Sequence, residues 1–127
     1  MIQYLLDANV AIYAMAQRPS PVVSRIEGCA PGEVAISAIS FAEVALGVQL
    51  QKPPPTAVLE AFLTAVPLVP FDEAAARRYA ELPFKRARFD RLLAAHALSI
   101  EATIVTNNEA DFADVPGLML ENWSLPL

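Results

Sequence analysis

The chain has 127 residues, which is enough for one domain with its own hydrophobic core and too few for two of ordinary size. Its formal net charge of −5 at pH 7 argues against a protein that holds nucleic acid through its overall field. Hydrophobic residues make up 55% of the sequence, more than the roughly 45–50% of ordinary soluble domains. We therefore expect part of its apolar surface to be buried against a second copy or a partner.

Several further signals narrow the class of protein. No run of about 18 uncharged apolar residues occurs, so we expect no membrane span, and the N-terminus lacks the basic and apolar regions of an export signal. A cytoplasmic protein is the resulting expectation. The single Cys29 has no second thiol for a disulfide or a CxxC site. The four glycines form neither GxGxxG nor a phosphate-binding loop, so we expect no nucleotide cofactor.

Strand-like and helix-like segments alternate along the chain, which predicts a parallel β-sheet with helices packed on it. The first strand, 2–6, ends at Asp7 and is followed by helical spacing over 10–15. The other predicted strands are 34–36, 67–71, 103–106 and 118–120. The other predicted helices are 21–27, 40–52, 56–65, 72–82 and 90–100. With no repeat and no linker, we expect a single α/β domain over 1–127.

Four acidic residues lie just after predicted strands or near the start of predicted helices: Asp7, Glu43, Asp90 and Asp111. A parallel sheet brings such positions to one edge, where open α/β sheets bind ligands. Carboxylates that meet there repel one another unless a cation or protons neutralise them. Mg²⁺ or Mn²⁺ fits, because hard ions take oxygen ligands and retain waters. Asn9 and Asn108 could add neutral oxygens or orient a water.

Each acid also has a purely structural interpretation. Asp7 could cap the helix that follows it, and Ser40-x-x-Glu43 matches a capping box. Asp90 at a helix start is favoured by the helix dipole, and Asp111 lies where turn and capping roles compete. The main alternative is thus a non-catalytic protein-interaction module whose acids are helix caps.

The basic residues are unevenly distributed. Six of the nine fall between positions 77 and 91, namely Arg77, Arg78, Lys85, Arg86, Arg88 and Arg91. Such a segment can contact phosphates, but it is equally compatible with a solvated helix face or with a rim that pairs with an acidic partner.

Other chemistries fit the sequence less well. Asp7-Ala-Asn9 after a first strand suggests an aspartyl phosphotransferase, but neither Lys52 nor Lys85 follows a predicted strand, as the neutralising lysine would. His96 is the only histidine and lies six residues after Asp90, so we interpret it as a packing or surface residue rather than a base. A zinc hydrolase site lacks ligands for the same reason. A phosphatase acting on small phosphoesters is the remaining enzymatic alternative.

Four motifs together resemble the PIN-domain nucleases, and VapC-type toxins in particular. They are Leu5-Leu6-Asp7-Ala-Asn9, Ser37-x-x-Ser40-x-x-Glu43, Asp90-x-Leu-Leu-Ala-Ala-His-Ala97 and Thr106-Asn107-Asn108-x-x-Asp111-Phe112. The ending Val115-Pro-Gly-Leu118 with Glu121-Asn-Trp123 is similar too. The resemblance covers nearly the whole chain in order and spacing.

The resemblance implies a PIN-like α/β domain that cleaves RNA with a water activated by Mg²⁺ or Mn²⁺. The metal-binding and catalytic set would be Asp7, Glu43, Asp90 and Asp111, with Asn9, Thr106 and Asn108 in support. Contacts to RNA would come from Lys85, Arg86, Arg88 and Arg91. It also implies a cognate antitoxin, as in type II toxin–antitoxin pairs, and a homodimer. Two departures stand out: Asn108 replaces an aspartate of many relatives, and 85–89 lacks a glycine often found there.

Overall fold

A computed structural model describes residues 1–16, 18–83 and 88–124. Its sheet contains five strands: β1 (Tyr4–Leu6), β2 (Val34–Ser37), β3 (Leu68–Val69), β4 (Thr103–Val105) and β5 (Leu120–Glu121). The strand order is β3-β2-β1-β4-β5, and every neighbouring pair is parallel. The predicted parallel sheet is therefore confirmed, although β3 is shorter than the predicted 67–71 and the last strand overlaps the predicted 118–120 only at Leu120.

Helices connect the strands, as parallel pairing requires. They are α1 (Ala8–Ala14), α2 (Pro21–Glu27), α3 (Ala38–Gln49), α4 (Thr56–Ala65), α5 (Glu73–Ala80) and α6 (Arg88–Ser99), with a short 3-10 helix at Glu109–Asp111. Within the described residues, no helix is long and apolar enough to cross a membrane.

The sheet lies between two hydrophobic layers, so the fold has three layers. Successive residues of a strand point to opposite faces, and β1 shows this directly. Leu6 packs in the cluster formed with α1, α2, α3 and α4, whereas Leu5 packs in the cluster formed with α6 and Phe112. Both leucines have no exposed surface. Burial on both faces explains why β1 reads as an apolar run without polar alternation.

The start of α3 differs from the prediction. Ser37 is the N-cap residue, and its Oγ accepts a hydrogen bond from the backbone N–H of Ile39 at 3.0 Å. Ser40 lies inside the first turn, fully buried, and its hydroxyl has no hydrogen-bond partner among the residues that the structure describes. The capping-box interpretation of Ser40 and Glu43 is therefore wrong, and Glu43 is a residue of the helix interior.

The sheet register determines which residues lie at its carboxyl edge. Leu6 pairs with Ile36 of β2 and with Val105 of β4. Asp7, Ser37 and Thr106 are the next residues along these three strands, so they lie side by side at one edge. This is the edge at which open α/β sheets bind ligands.

Candidate active site

Asp7 is held at the end of the central strand by two hydrogen bonds. Its Oδ1 accepts from the backbone N–H of Ala8 at 2.8 Å, which makes it the N-cap of α1. Its Oδ2 accepts from the Thr106 hydroxyl at 2.9 Å. Asp7 is thus a helix cap and a member of the site at once, because Thr106 comes from the neighbouring strand and fixes the second carboxylate oxygen.

Glu43 faces the same region from α3. Glu43 is an exposed residue, but its pKa is raised. The first cause is the partial loss of water around the carboxyl group, and the second is the negative charge of Asp7 and Asp90. Repulsion of this kind acts between neighbouring charges. The structure therefore brings Glu43 together with the acids of two other elements.

Asp90 lies in the first turn of α6, two residues after the helix begins. Its pKa is also raised, by burial first and then by Asp7 and Asp111, while Arg91 acts in the opposite direction. Asp90 consequently neighbours both the residue at the end of β1 and the acid of the 3-10 helix. Asp7, Glu43, Asp90 and Asp111, which we call the carboxylate cluster, are joined through these interactions.

The loop after β4 positions Asp111. The backbone N–H of Asn108 donates to Thr106 Oγ1 at 3.0 Å, and the Asn108 side-chain amide donates to Asp111 Oδ2. Thr106 therefore contacts Asp7 on one side and this loop on the other, and it is fully buried. Thr106 and Asn108 thus contact acids of the predicted set, whereas Asn9 is exposed in α1 and its side chain has no hydrogen bond within the part of the chain that the structure describes.

The cluster suits a hard divalent cation by the chemistry of its donors. Its side chains offer carboxylate oxygens. Burial first, and then neighbouring carboxylates, raise the pKa of Glu43 and Asp90, so a bound cation would relieve the repulsive part of this effect. In the part of the chain that the structure describes, no three His, Cys, Asp or Glu side chains surround a common point closely enough to hold an ion alone. Mg²⁺ does not require such a cage, because it commonly takes one or two carboxylates, several waters and substrate phosphates.

A buried pair near the site was not predicted. The Oγ of Ser37 lies 2.7 Å from His96 Nδ1, and both residues are almost fully buried. His96 also packs edge-on against the ring of Phe71, which confirms its interpretation as a packing residue. The signal that could have revealed the pair is the position of Ser37 directly after the apolar run of β2, where N-cap residues are common.

The basic residues predicted to contact RNA fall into two groups. Lys85 and Arg86 lie outside the described residues, and so does the side chain of Arg88. Arg91 is only 4% exposed, and its Nη2 donates to Asp114 Oδ2 at 2.6 Å. The predicted contact between Arg91 and RNA is therefore wrong, because its charge is turned inward toward the loop that follows Asp111.

Known proteins are similar to this chain in sequence and in fold. The PIN domain family profile matches residues 4–118. The tRNA(fMet)-specific endonuclease VapC of Shigella flexneri is 32% identical over 98% of this chain and 100% of its own. Ribonuclease VapC2 of Rickettsia felis is 33% identical over 94% and 97%, respectively. Among solved structures, VapBC2 of Rickettsia felis bound to a promoter DNA fragment matches with a TM-score of 0.81 and 31% identity, covering 97% of this chain and 99% of the other.

Proposed function

The chain belongs to the PIN-domain family, and from this premise we propose that it is a metal-dependent endoribonuclease, the toxin of a type II toxin–antitoxin pair. The observation that carries the proposal is that Asp7, at the carboxyl edge of the sheet, has Glu43 and Asp90 as charged neighbours, and that Asp111 in turn neighbours Asp90. The matched residues 4–118 include all four acids. The relatives named as ribonucleases align with nearly the whole chain, which supports RNA as the substrate.

Each acid has a distinct part in the proposal. Asp7 is the central ligand, because it lies on the middle strand and Thr106 fixes one of its oxygens. Glu43 and Asp90 approach from separate helices, and Asp111 is steadied by the Asn108 amide. A bound Mg²⁺ or Mn²⁺ would supply activation of the attacking water and neutralise charge on the phosphodiester. Asn9 is proposed as a further oxygen donor from the first turn of α1.

The phosphates of an RNA substrate need positively charged partners. This chain is acidic overall, and its basic residues are concentrated in one segment. On α5, Arg77 forms an ion pair with Glu73 at 2.6 Å, and Arg78 forms one with the C-cap residue Glu81 at 3.1 Å. Both arginines are thus already paired within or beside their own helix. We assign the RNA phosphate contacts to Lys85, Arg86 and Arg88, which precede Asp90 directly in sequence. Their position next to a ligand of the site supports this assignment.

Two protein partners complete the proposal. The VapBC2 complex from Rickettsia felis and the DNA-bound VapBC from Salmonella typhimurium, the latter with a TM-score of 0.82 at 28% identity, are toxin–antitoxin assemblies. A cognate antitoxin is the corresponding partner of this chain. A homodimer is supported by two large apolar side chains left in solvent at the end of α3: Leu46 in its last turn is 61% exposed, and Leu50, the C-cap residue, is 58% exposed.

The test uses the purified chain without antitoxin. We expect cleavage of labelled RNA with Mg²⁺ or Mn²⁺, none in EDTA, and none by Asp7→Asn, which keeps the size of the side chain but loses its charge. Calorimetric titration of Mn²⁺ should give binding to the wild type and much weaker binding to Asp7→Asn. If the four acids are only helix caps, neither cleavage nor Mn²⁺ binding is expected. Absence of both in the wild type and in Asp7→Asn would therefore favour the interaction module. Turnover of a chromogenic phosphate monoester but not of RNA would favour the phosphatase.

A further inference from the structure

An exposed aromatic ring lies beside the carboxylate cluster and has no part in the chemistry described so far. Tyr13, near the end of α1, is 45% exposed. Its hydroxyl accepts a hydrogen bond from the Asn107 side-chain amide at 3.1 Å. Asn107 directly follows Thr106, whose hydroxyl binds Asp7. A continuous path thus runs from the central carboxylate to the phenol ring.

The geometry of α1 separates the ring from the reacting phosphate. Tyr13 is six residues beyond Asp7, which corresponds to about 9 Å along the helix axis. At this distance the ring cannot contact the bond that is cut. It can contact a neighbouring nucleotide of the same strand.

A small cleft adjoins the ring. It has a volume of about 220 Å³, and its lining includes Tyr13, Arg18, Ser20 and Ser124. This is below the roughly 300–1,000 Å³ of sites that enclose a whole small molecule, so a single flat group suits it better. Arg18 is exposed, and among the described residues it has no ion-pair partner.

We propose that Tyr13 is a stacking platform for one RNA base next to the scissile phosphate, and that Arg18 contacts an adjoining phosphate. Single-stranded RNA is commonly bound by stacking unpaired bases on aromatic side chains, with cations along the backbone. The hydrogen bond from Asn107 holds the ring in one orientation before RNA arrives, which reduces the ordering cost of binding. This proposal rests on the ribonuclease function proposed above and adds a nucleotide subsite to it.

The experiment measures binding without cleavage. A short fluorescein-labelled single-stranded RNA that the wild type cleaves with Mg²⁺ is titrated in EDTA by fluorescence anisotropy. The same RNA is then prepared as a set, each member lacking the base at one position. The variants are Tyr13→Leu, which keeps apolar bulk without a ring, Tyr13→Phe, which keeps the ring without the hydroxyl, and Arg18→Ala. Urea unfolding midpoints establish that each variant is folded.

We expect Tyr13→Leu to weaken binding of the intact RNA by roughly 5- to 150-fold, the range of one stacked base. Tyr13→Phe should weaken it less. Removal of one particular base should weaken binding to the wild type by a similar factor but leave Tyr13→Leu unaffected, since that variant has no ring for the base to stack on. Arg18→Ala should lower the slope of log K against log salt by about one unit.

If removal of each base weakens binding to the wild type and to Tyr13→Leu by the same factor, the stacking proposal is overturned. Loss of antitoxin binding by Tyr13→Leu with RNA binding unchanged would also overturn it, in favour of a protein-docking role. Cleavage by the wild type is measured separately on the same RNA, so these two outcomes leave the ribonuclease function standing. A wild type that neither binds nor cuts the RNA would remove both proposals.

Discussion

The His96 imidazole Nδ1 lies 2.7 Å from the Ser37 hydroxyl, and this contact joins α6, which carries Asp90, to the N-cap of α3, which carries Glu43. Two ligands proposed for one ion are thus connected through the core by a hydrogen bond between residues 59 positions apart. The contact therefore bears on how these two helices are held relative to each other. The link also makes the fold sensitive to protonation.

Acid should destabilise the protein through His96. Burial lowers the pKa of this imidazole, with Asp72 acting in the opposite direction. The unfolded chain therefore takes up the proton first as the pH falls below the ordinary value of 6.5. Stability is fully present above that pH and is lost as the pH falls through the folded-state pKa, by at most about 1.4 kcal/mol per pH unit.

The measurement is urea unfolding in EDTA between pH 8 and pH 5 for the wild type and His96→Asn. Asparagine can still meet Ser37 but does not titrate, so its stability should fall less steeply below pH 6.5. Parallel curves for the two proteins would show that His96 does not carry the effect. The raised pKa values of Glu43 and Asp90 increase the stability of the folded protein as the pH falls, opposite to the effect of His96. Both proteins contain these acids, so the difference between the wild type and His96→Asn isolates the contribution of His96.

Replacing Glu43 by Gln should stabilise the metal-free protein while removing activity. Lost hydration first, and then the charges of Asp7 and Asp90, raise the pKa of Glu43, so its charged form is disfavoured in the folded state. A neutral side chain of the same size avoids both costs. We expect a gain of no more than about 1 kcal/mol, because water screens an exposed group. Urea unfolding in EDTA and RNA cleavage with Mg²⁺ are the two measurements.

The matched control for this prediction is Glu60→Gln on α4, which removes one exposed negative charge outside the cluster. It should change neither cleavage nor metal-free stability appreciably. Added Mg²⁺ should stabilise the wild type and the control more than Glu43→Gln, since a ligand that binds only the folded state stabilises it. Equal stabilisation of all three proteins would remove Glu43 from the proposed metal site.

Thr106 should matter for activity although it does not ligate the metal in our proposal. Thr106→Val keeps the shape but leaves Asp7 Oδ2 and the Asn108 N–H without their shared partner. We expect metal affinity or kcat to fall roughly 10- to 100-fold, as for other outer contacts of metal ligands. Thr106→Ser keeps the hydroxyl and should retain most activity; a serine variant as impaired as valine would contradict this role.

Arg91 should contribute to stability and not to RNA affinity. Arg91→Met removes one partner of Asp114, at a residue that is only 4% exposed. Breaking a fully buried pair costs about 3–5 kcal/mol, and we expect less because the Asp114 side chain is 44% exposed. Unfolding should therefore become easier, while the salt dependence of RNA binding in EDTA should stay unchanged.

The contrasting variant replaces both Arg86 and Arg88 by Ala. Its slope of log K against log salt should fall by about one unit for each phosphate that the variant no longer binds. If Arg91→Met lowers the slope and the double variant does not, then Arg91 contacts the RNA phosphates and Arg86 and Arg88 do not.

Segments with strong local signals were predicted well. Helix α4 begins after Pro55 and ends before Pro67, and its bounds, Thr56–Ala65, match the prediction. The central strands were recognised because burial on both faces gives short apolar runs. The position of Asp7 at the carboxyl edge could be anticipated because the topology of a parallel sheet determines where its strands end.

Features decided by distant contacts were missed. Both Ser37 and Ser40 can cap a helix, and the local pattern favoured Ser40 through Glu43. The true cap follows from where β2 ends, and its hydroxyl reaches a histidine on another helix. Arg91 belongs to a basic run in sequence, but its side chain pairs with an acid 23 residues further on. Neither pairing leaves a periodic signal in the chain.

The middle position of β1 has a consequence for synthesis on the ribosome. Asp7 is translated early, yet the hydroxyl that orients it belongs to a residue 99 positions later, and β1 lacks one neighbour until β4 has emerged. A growing chain therefore lacks the contact that orients Asp7 for most of its translation. Stalled nascent chains of increasing length should become protease-resistant only when 103–106 have left the exit tunnel. Earlier protection would show that the sheet forms without its later half.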